Sequence, residues 1–485
     1  MNQTMTQTYE NYIGGEWTGS GETQDVTNPA DETDVVSTVP VSSTAETDDA
    51  VAAAAEATGE WAGMPGPERG AVLRETGEIL KSRKGELAET LTREEGKPLG
   101  EAEGEVQRAI DIFYYYAEKA RDFGGTVKQP SGGRAGLQTR KEPMGVAALI
   151  TPWNYPIAIP AWKIAPALAV GNTVVIKPAM QAPTVGAMIV EALDEAGIPD
   201  GAINLVCGPG SEVGERLTTH EDVDVVSFTG SASVGEHVYD QATSTGKRAQ
   251  AEMGGKNPTV VMPSADVDRA ADIVGGGAFG GTGQACTATS RAIVHKDVYD
   301  EFLDAIVDYA ESLEIGNGLD RADMGPHVSE DELAGSLEYI DVAQSEGATL
   351  ETGGEELTGS KYDGGNFISP AVFSGVESDM RIAQEEVFGP VLAVIPVSDF
   401  EEGVEVANDI DYGLSASIVT DSVEEENAFI ERSESGVVKV NEKTTGLELH
   451  VPFGGLKRSS TNTYREQGDA GLEFFSYIKT VYRNS

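Results

Sequence analysis

The chain carries only two cysteines, and one of them, Cys286, sits where small and polar residues leave room around the sulfur, in GGTGQACTATSR. A thiol with the reference pKa of about 8.5 is only a few per cent thiolate at neutral pH, so a nucleophilic Cys286 needs backbone N–H groups or a base nearby. The alternative is a buried inert thiol, which is the reading for Cys207 inside the apolar run INLVCG. A nucleophile also needs partners. In AEMGGKNP, Glu252 stands just before two glycines that allow close backbone approach; it is either a general base or a solvated surface acid. Asn154, in the Pro-flanked TPWNYP, is either an amide donor to a developing oxyanion or a turn-forming Asn. FTGSASVG, Phe228 to Gly235, reads as a strand end turning through small residues into a helix, suited to phosphate at the helix N–H groups.

Several other chemistries lack their residues. There is no HExxH and no CxxC, and the five histidines are scattered, so no metal site is expected. The Gly-Lys pairs Gly96-Lys97, Gly246-Lys247 and Gly255-Lys256 are followed by Pro, Arg and Asn, so none is a Walker loop. GPGSEVG, Gly208 to Gly214, has a last spacing one residue too long for a dinucleotide fingerprint and reads as a structural turn.

The elements that must position these residues form an α/β pattern. GVAALIT, NTVVIKP, AINLVCG and VDVVSFTG are continuous apolar runs, as in parallel strands covered on both faces. IPAWKIAPALAVG, TVGAMIVEALDEAG and SEVGERLTTH read as the intervening helices, the first two with a glycine at the end. Right-handed crossovers make this a doubly wound domain. A second alternation runs from about Asn257 to Asn441, with strands PTVVM, RAIVH, AVIPV and SASIV and helices AADIVGGGAFGGTGQ and EFLDAIVDYAESL. Upstream, EVQRAIDIFYYYAEKARDFGG is a long amphipathic helix, and Gly124 to Arg140 reads as a hairpin projecting from the body.

Composition sets the surroundings. A length of 485 residues suggests two or three domains, and 39% hydrophobic residues supply their cores. The net charge of −47, without a basic patch, excludes nucleic acid and anionic lipid as partners. No window has the roughly 18 to 20 apolar residues of a membrane span, and the polar N-terminus lacks the features of a signal peptide. A cytoplasmic protein with an acidic coat is expected, as in proteins of salt-loving organisms.

Taken in order along essentially the whole chain, NYIGGEW, TPWNYP, IKPA, FTGSASVG, EMGGKNP, GQACTATSR, EEVFGPV and HVPFGGLKRSS resemble the aldehyde dehydrogenase superfamily. The resemblance implies an α/β aldehyde dehydrogenase fold: a Rossmann-like cofactor domain, an α/β catalytic domain and a small oligomerisation β-element. It implies that Cys286 attacks an aldehyde, that the Asn154 amide and the Cys286 backbone N–H hold the oxyanion, and that hydride leaves for a nicotinamide. A thioester then remains, and Glu252 activates the water that hydrolyses it. By the same resemblance Lys177 holds the adenosine ribose, Ser231 the pyrophosphate, Glu386 and Phe388 the nicotinamide ribose, and Trp153 the adjoining wall. Ile150, Met180, Phe228, Gly230, Val234 and Met253 complete the expected cofactor site. NAD-preferring members often have Glu three residues after the ribose lysine, whereas here the position is Met180, so NADP is expected ahead of NAD.

The run VNEKTTGLELHVPFGGLKRSSTNTYREQG is similar to the branch that oxidises 2-oxoglutarate semialdehyde (2,5-dioxopentanoate) in non-phosphorylated pentose or sugar-acid breakdown. Succinate semialdehyde dehydrogenases usually place arginines at the positions held here by Trp162 and Gly280, which argues against that substrate. Arg108, Trp162, His450 and Phe453 are the expected substrate contacts. Arg108 either replaces the missing arginines or pairs on the surface with Glu105 or Asp111. Succinate semialdehyde, lactaldehyde, glycolaldehyde and broad-range aldehyde oxidation are the alternatives, and a non-catalytic binding protein of the same fold is the alternative from another class.

The expected domains are residues 1–123 with 144–251 for cofactor, 252–446 for catalysis, and 124–143 with 471–485 for oligomerisation. Unpaired edges in the last element call for a partner chain, giving a homodimer or homotetramer. The acidic coat makes a prediction of its own. Like charges repel over about 10 Å at 0.1 M salt but only about 3 Å at 1 M. The protein should therefore hold its fold and activity in molar KCl and lose them on dilution into low salt, followed by circular dichroism and activity; full activity without added salt would refute this.

Overall fold

The computed structural model describes residues 7–131 and 135–484. Its first large sheet has seven strands in the order Arg248–Glu252, Val225–Thr229, Val146–Ile150, Thr173–Lys177, Ile203–Leu205, Asn11–Ile13 and Glu16–Thr18. The first five run parallel, and the two N-terminal strands add an antiparallel edge. Every residue of Val146–Ile150, Thr173–Lys177 and Val225–Thr229 is buried, which is why these runs are continuously apolar instead of alternating. The chain moves outward from Val146–Ile150 in one direction and then returns to its other side at Val225–Thr229. That reversal opens a crevice beyond the strands' carboxyl ends.

Helix Ala158–Val170, which joins the first two of these strands, is buried along its whole length. Gly171 ends it in the left-handed conformation at φ 103°, as its sequence signal indicates. The expected helix in SEVGERLTTH is instead a π-helical turn, Gly210–Gly214, followed by a five-residue helix, Glu215–Thr219. Glycines at both ends of that first turn weaken regular α-helix there.

The second large sheet is ordered Thr349–Thr352, Ala371–Ser374, Val391–Val397, Thr289–His295, Asn257–Val261, Ser415–Val419 and Val437–Val440. All its pairings are parallel except the one at Thr349–Thr352. Only four residues separate the last strand of the first sheet, ending at Glu252, from the first strand here, starting at Asn257. Those four are Met253, Gly254, Gly255 and Lys256, so the general-base candidate lies at the hinge between two sheets.

The projecting element is a three-stranded antiparallel sheet of Val127–Lys128, Ala135–Pro143 and Ser476–Asn484. Residues 132–134 of the expected hairpin lie outside the described residues. Residues 471–474, expected in this element, belong instead to helix Gly468–Phe474, whose Leu472 and Phe474 are buried in the core. Val127, Ile478 and Tyr482 leave large apolar side chains exposed on the sheet. No helix among the described residues is long and apolar enough to cross a membrane.

Candidate active site

Cys286 lies between the end of helix Val267–Ala278 and strand Thr289–His295. Gly281, Thr282 and Gly283 all take positive φ, turning the chain sharply just before it. Asn257 fixes the far side, its amide nitrogen donating to the carbonyls of Cys286 and Ala288 at 2.8 Å each. The two glycines after Met253 matter here. A Cβ on Gly254 would lie 1.9 Å from the Glu386 carboxylate, and one on Gly255 would lie 2.6 Å from the Cys286 carbonyl. The second clash is with backbone, so glycine at 255 is what lets this turn approach the Cys286 segment. The thiol is pushed up to about 12 by burial and by the charges of Glu386, Glu252 and Glu466, so it rests protonated.

Asn154 is buried, and its amide donates to the Gln284 carbonyl at 3.0 Å, two residues before Cys286. An amide has two protons, so one remains for a ligand in the cavity. Glu252 ends strand Arg248–Glu252 and is buried, accepting from the Gly455 N–H at 2.9 Å and the Ser460 hydroxyl at 2.8 Å. It faces these partners and does not line the cavity that holds Cys286. Burial and the nearby Glu466 raise it to about 8 despite those two hydrogen bonds.

The expected cofactor residues meet at the carboxyl edge of the first sheet. Ile150 is in register with Lys177 on one side and Phe228 on the other, and Thr229 with Glu252. Gly230 follows this row, and Ser231 caps helix Ala232–Ser244 without its side chain making a capping hydrogen bond. That hydroxyl and the first N–H groups of the helix are thus available to a phosphate. Val234 in the first turn is about half exposed, and Met253 packs under Gly235. Lys177 is buried, donates to the Pro178 carbonyl at 2.7 Å and is lowered by burial to about 8. Met180 packs against the core beside it. Glu386 accepts from the Gly255 N–H at 2.8 Å, and Phe388 meets Trp153 edge-on with centroids 5.4 Å apart.

A cavity of about 400 Å³ leads to Cys286 and is lined by Asn154, Gln284, Trp162, Phe453, Gly280 and Arg108, among others. The structure corrects two expectations. Arg108 pairs with neither Glu105 nor Asp111: it donates to the Leu447 carbonyl and, at 3.1 Å, to the Gln467 side chain, because Glu105 and Asp111 are engaged elsewhere. His450 is not in the cavity wall; it is exposed beside Glu448, since the chain turns outward there before Phe453 turns back in. The sequence reading also missed residues. Lys443 lines the cavity and has no hydrogen bond or ion pair among the described residues. Buried Lys163 donates to Glu466 and, at 2.7 Å, to Ser227. Glu466 lies within REQG, a segment that gave no sign of this contact because its partner is 303 residues away. GPGSEVG, read as a turn only, brings Gly214 against Lys177 and Ile150.

The Aldehyde dehydrogenase family profile matches residues 17–481. The chain is 62% identical over 480 residues to the alpha-ketoglutarate semialdehyde dehydrogenase of Haloferax volcanii, covering 99% of each. Among solved structures it is similar to a 3,6-anhydro-L-galactose dehydrogenase in complex with NAP, at 36% identity and a TM-score of 0.95, covering 99% of this chain and 100% of that one. It is also similar to a Staphylococcus aureus betaine aldehyde dehydrogenase mutant in complex with NAD+, at 34% identity and a TM-score of 0.96, covering 100% and 98%.

The two thiols should separate chemically. Iodoacetamide should label Cys286, which opens on the cavity, and spare Cys207, which is fully buried. Because the Cys286 thiol is held near 12, its labelling rate should keep rising up to at least about pH 10, read by mass spectrometry. A plateau near the ordinary thiol value would contradict this assignment.

Proposed function

The chain belongs to the aldehyde dehydrogenase family and is an NAD(P)-dependent aldehyde dehydrogenase, and from that premise we propose that it oxidises 2-oxoglutarate semialdehyde to 2-oxoglutarate in non-phosphorylated pentose or sugar-acid degradation. The observation that carries the substrate is the 62% identity, end to end, to the Haloferax volcanii enzyme of that name. The cavity chemistry agrees with an anionic aldehyde. A guanidinium has five N–H donors; Arg108 commits two groups to Leu447 and Gln467, leaving others for a carboxylate, and Lys443 adds an unpaired ammonium to the same wall.

The cofactor fit rests on Ser231, whose uncommitted hydroxyl stands at a helix start on the sheet's carboxyl edge, with Lys177 buried nearby. When bound there, a nicotinamide dinucleotide supplies the acceptor for the aldehyde hydride. Cys286 gives up its thiol proton to water and forms the bond to the aldehyde carbon, and the free amide proton of Asn154 with the Cys286 N–H holds the oxygen as charge develops. With hydride gone, a thioester remains on Cys286. Glu252, turned from Gly455 and Ser460 toward the cavity, takes a proton from the water that hydrolyses it. Met180, offering no carboxylate against a 2′-phosphate, and cationic Lys177 favour NADP over NAD.

The same reading keeps the cofactor, catalytic and oligomerisation divisions of the chain, apart from residues 471–474, which lie in the core helix. It also assigns a cytoplasmic homodimer or homotetramer joined through the projecting sheet, where Ile478 and Tyr482 are exposed.

Two measurements test this. Formation of reduced cofactor in molar KCl, with NADP and with NAD, should be fastest for 2-oxoglutarate semialdehyde among that aldehyde, succinate semialdehyde, glycolaldehyde and a neutral aliphatic aldehyde. Arg108→Ala should raise KM for the acidic aldehydes roughly ten- to a hundredfold, the worth of a charged hydrogen bond of about 1.5–3 kcal/mol, and leave the neutral one unchanged. Equal effects on both would remove Arg108 from the substrate site. The second measurement concerns pH. Glu252 acts as the carboxylate, which is the minor form below about 8, so thioester hydrolysis should rise with pH up to that value and then level. Glu252→Gln should abolish that rise and leave a burst of one reduced cofactor per site; unchanged steady turnover would exclude Glu252 as the base.

A further inference from the structure

Gly96-Lys97, which has no phosphate-binding role, leads into the wall of the active-site cavity. Helix Lys84–Glu95 stops at Gly96, whose φ of 98° is left-handed and whose added Cβ would meet Pro326 at 2.8 Å. This turn sends Lys97 inward, where its side chain is buried. The Lys97 ammonium donates to Glu105 at 2.6 Å and to the backbone carbonyl of Asn154 at 2.7 Å. It lies 4.4 Å from the Tyr155 ring centroid and 3.7 Å from Glu95. The other oxygen of Glu105 accepts from the N–H groups of Ile157 and Ala158, both at 3.1 Å. One ion pair therefore grips both ends of the turn that carries Asn154. At its near end Lys97 holds residue 154, and at its far end Glu105 holds residues 157 and 158.

We propose that the buried Lys97–Glu105 pair is a positioning clamp that aims the Asn154 amide at the oxygen of the reacting aldehyde. The inference rests on the reading of Asn154 as the oxyanion donor. A buried ion pair is a poor device for stability alone, since an apolar pair of similar volume is often as stable or more so. Its geometric effect is specific here: oxyanion donors lose their value when displaced by a fraction of an ångström. Lys97 touches the backbone of the donor residue itself, and the charges of Glu105 and Glu95 keep it an ammonium against the opposing effect of burial. Lys97 is thus a positioning residue, acting through Asn154.

A double-mutant cycle in the full-length enzyme tests the clamp, read as single-turnover formation of reduced cofactor with a neutral aldehyde in molar KCl. Lys97→Met should slow this step roughly tenfold or more when Asn154 is present, with cofactor KM unchanged. In the Asn154→Ala background the same substitution should change it less than about threefold, because the donor it aims is gone. Lys97→Arg, which keeps a charged donor for Glu105 and the carbonyl, should recover part of the lost rate. If Lys97→Met leaves too little folded protein, Lys97→Met with Glu105→Met removes the pair without stranding a charge, and the same cycle is read with it. An equal slowing in both backgrounds would overturn the clamp. An Asn154→Ala variant within about twofold of the parent would instead overturn the oxyanion reading itself, whatever Lys97 does.

Discussion

A helix buried on every side cannot leave its end groups to water, and helix Ala158–Val170 is such a helix. Its first N–H groups go to Glu105. At its other end, Trp61 donates to the Leu168 carbonyl, Arg69 to Ala169 and Asn172 to Ala167. Using a carboxylate at the N-terminus suits the helix dipole but brings a charge into the interior. That charge costs several kcal/mol unless it is paired, and Lys97 pairs it. From this one requirement follow the inward turn at Gly96, the hold on Asn154 and the depth at which Trp162 and Lys163 project from the same helix. The cofactor edge depends on the helix too, because it joins the two strands that end at Ile150 and Lys177.

The site gathers acids in a region of low dielectric, and burial, reinforced by their mutual repulsion, sets its resting chemistry. Burial holds Glu386 near 7 and Glu252 near 8, and burial, with the charges of these acids added, holds the Cys286 thiol near 12. A protonated thiol is a weak nucleophile and resists oxidation. Reactivity is therefore withheld until a base takes that proton. Lys163 relieves part of the repulsion by pairing with Glu466, which lies close enough to influence both Glu252 and Cys286.

Much of this was legible in the sequence because it is local. Continuous apolar runs announced the buried strands, and Cys286, Glu252 and Asn154 stood out through their neighbours: small residues, paired glycines and a proline-bounded turn. The contacts that hold them were not legible. Glu105 looks like one more acid on an amphipathic helix, and nothing local says that it ends another helix 52 residues away. Lys97 was visible only as a failed phosphate motif, and Glu466 only as part of a family-like tail. Short strands such as Ala371–Ser374 and Thr349–Thr352 escaped for a different reason: four residues are too few for a period to emerge. His450 misled because its neighbour Phe453 does face the cavity, and a turn between them reverses direction.

The acidic coat gives way in the cavity to a mixed wall, where Lys97, Arg108 and Lys443 stand beside Glu95, Glu101 and Glu105. A net charge of −47 surrounds a cavity whose free cationic groups are Lys443 and part of Arg108. In dilute solution such a coat would repel an anionic aldehyde, and a dinucleotide still more strongly, over about 10 Å or more. At molar salt that repulsion dies within about 3 Å, so approach is no longer opposed, but long-range attraction is lost as well. Recognition of a carboxylate must then rest on contact, through donors fixed in the cavity wall. On the proposed assignment, an arginine already anchored to Leu447 and Gln467 meets that need better than a mobile surface cation, because its remaining donors are fixed before the substrate arrives.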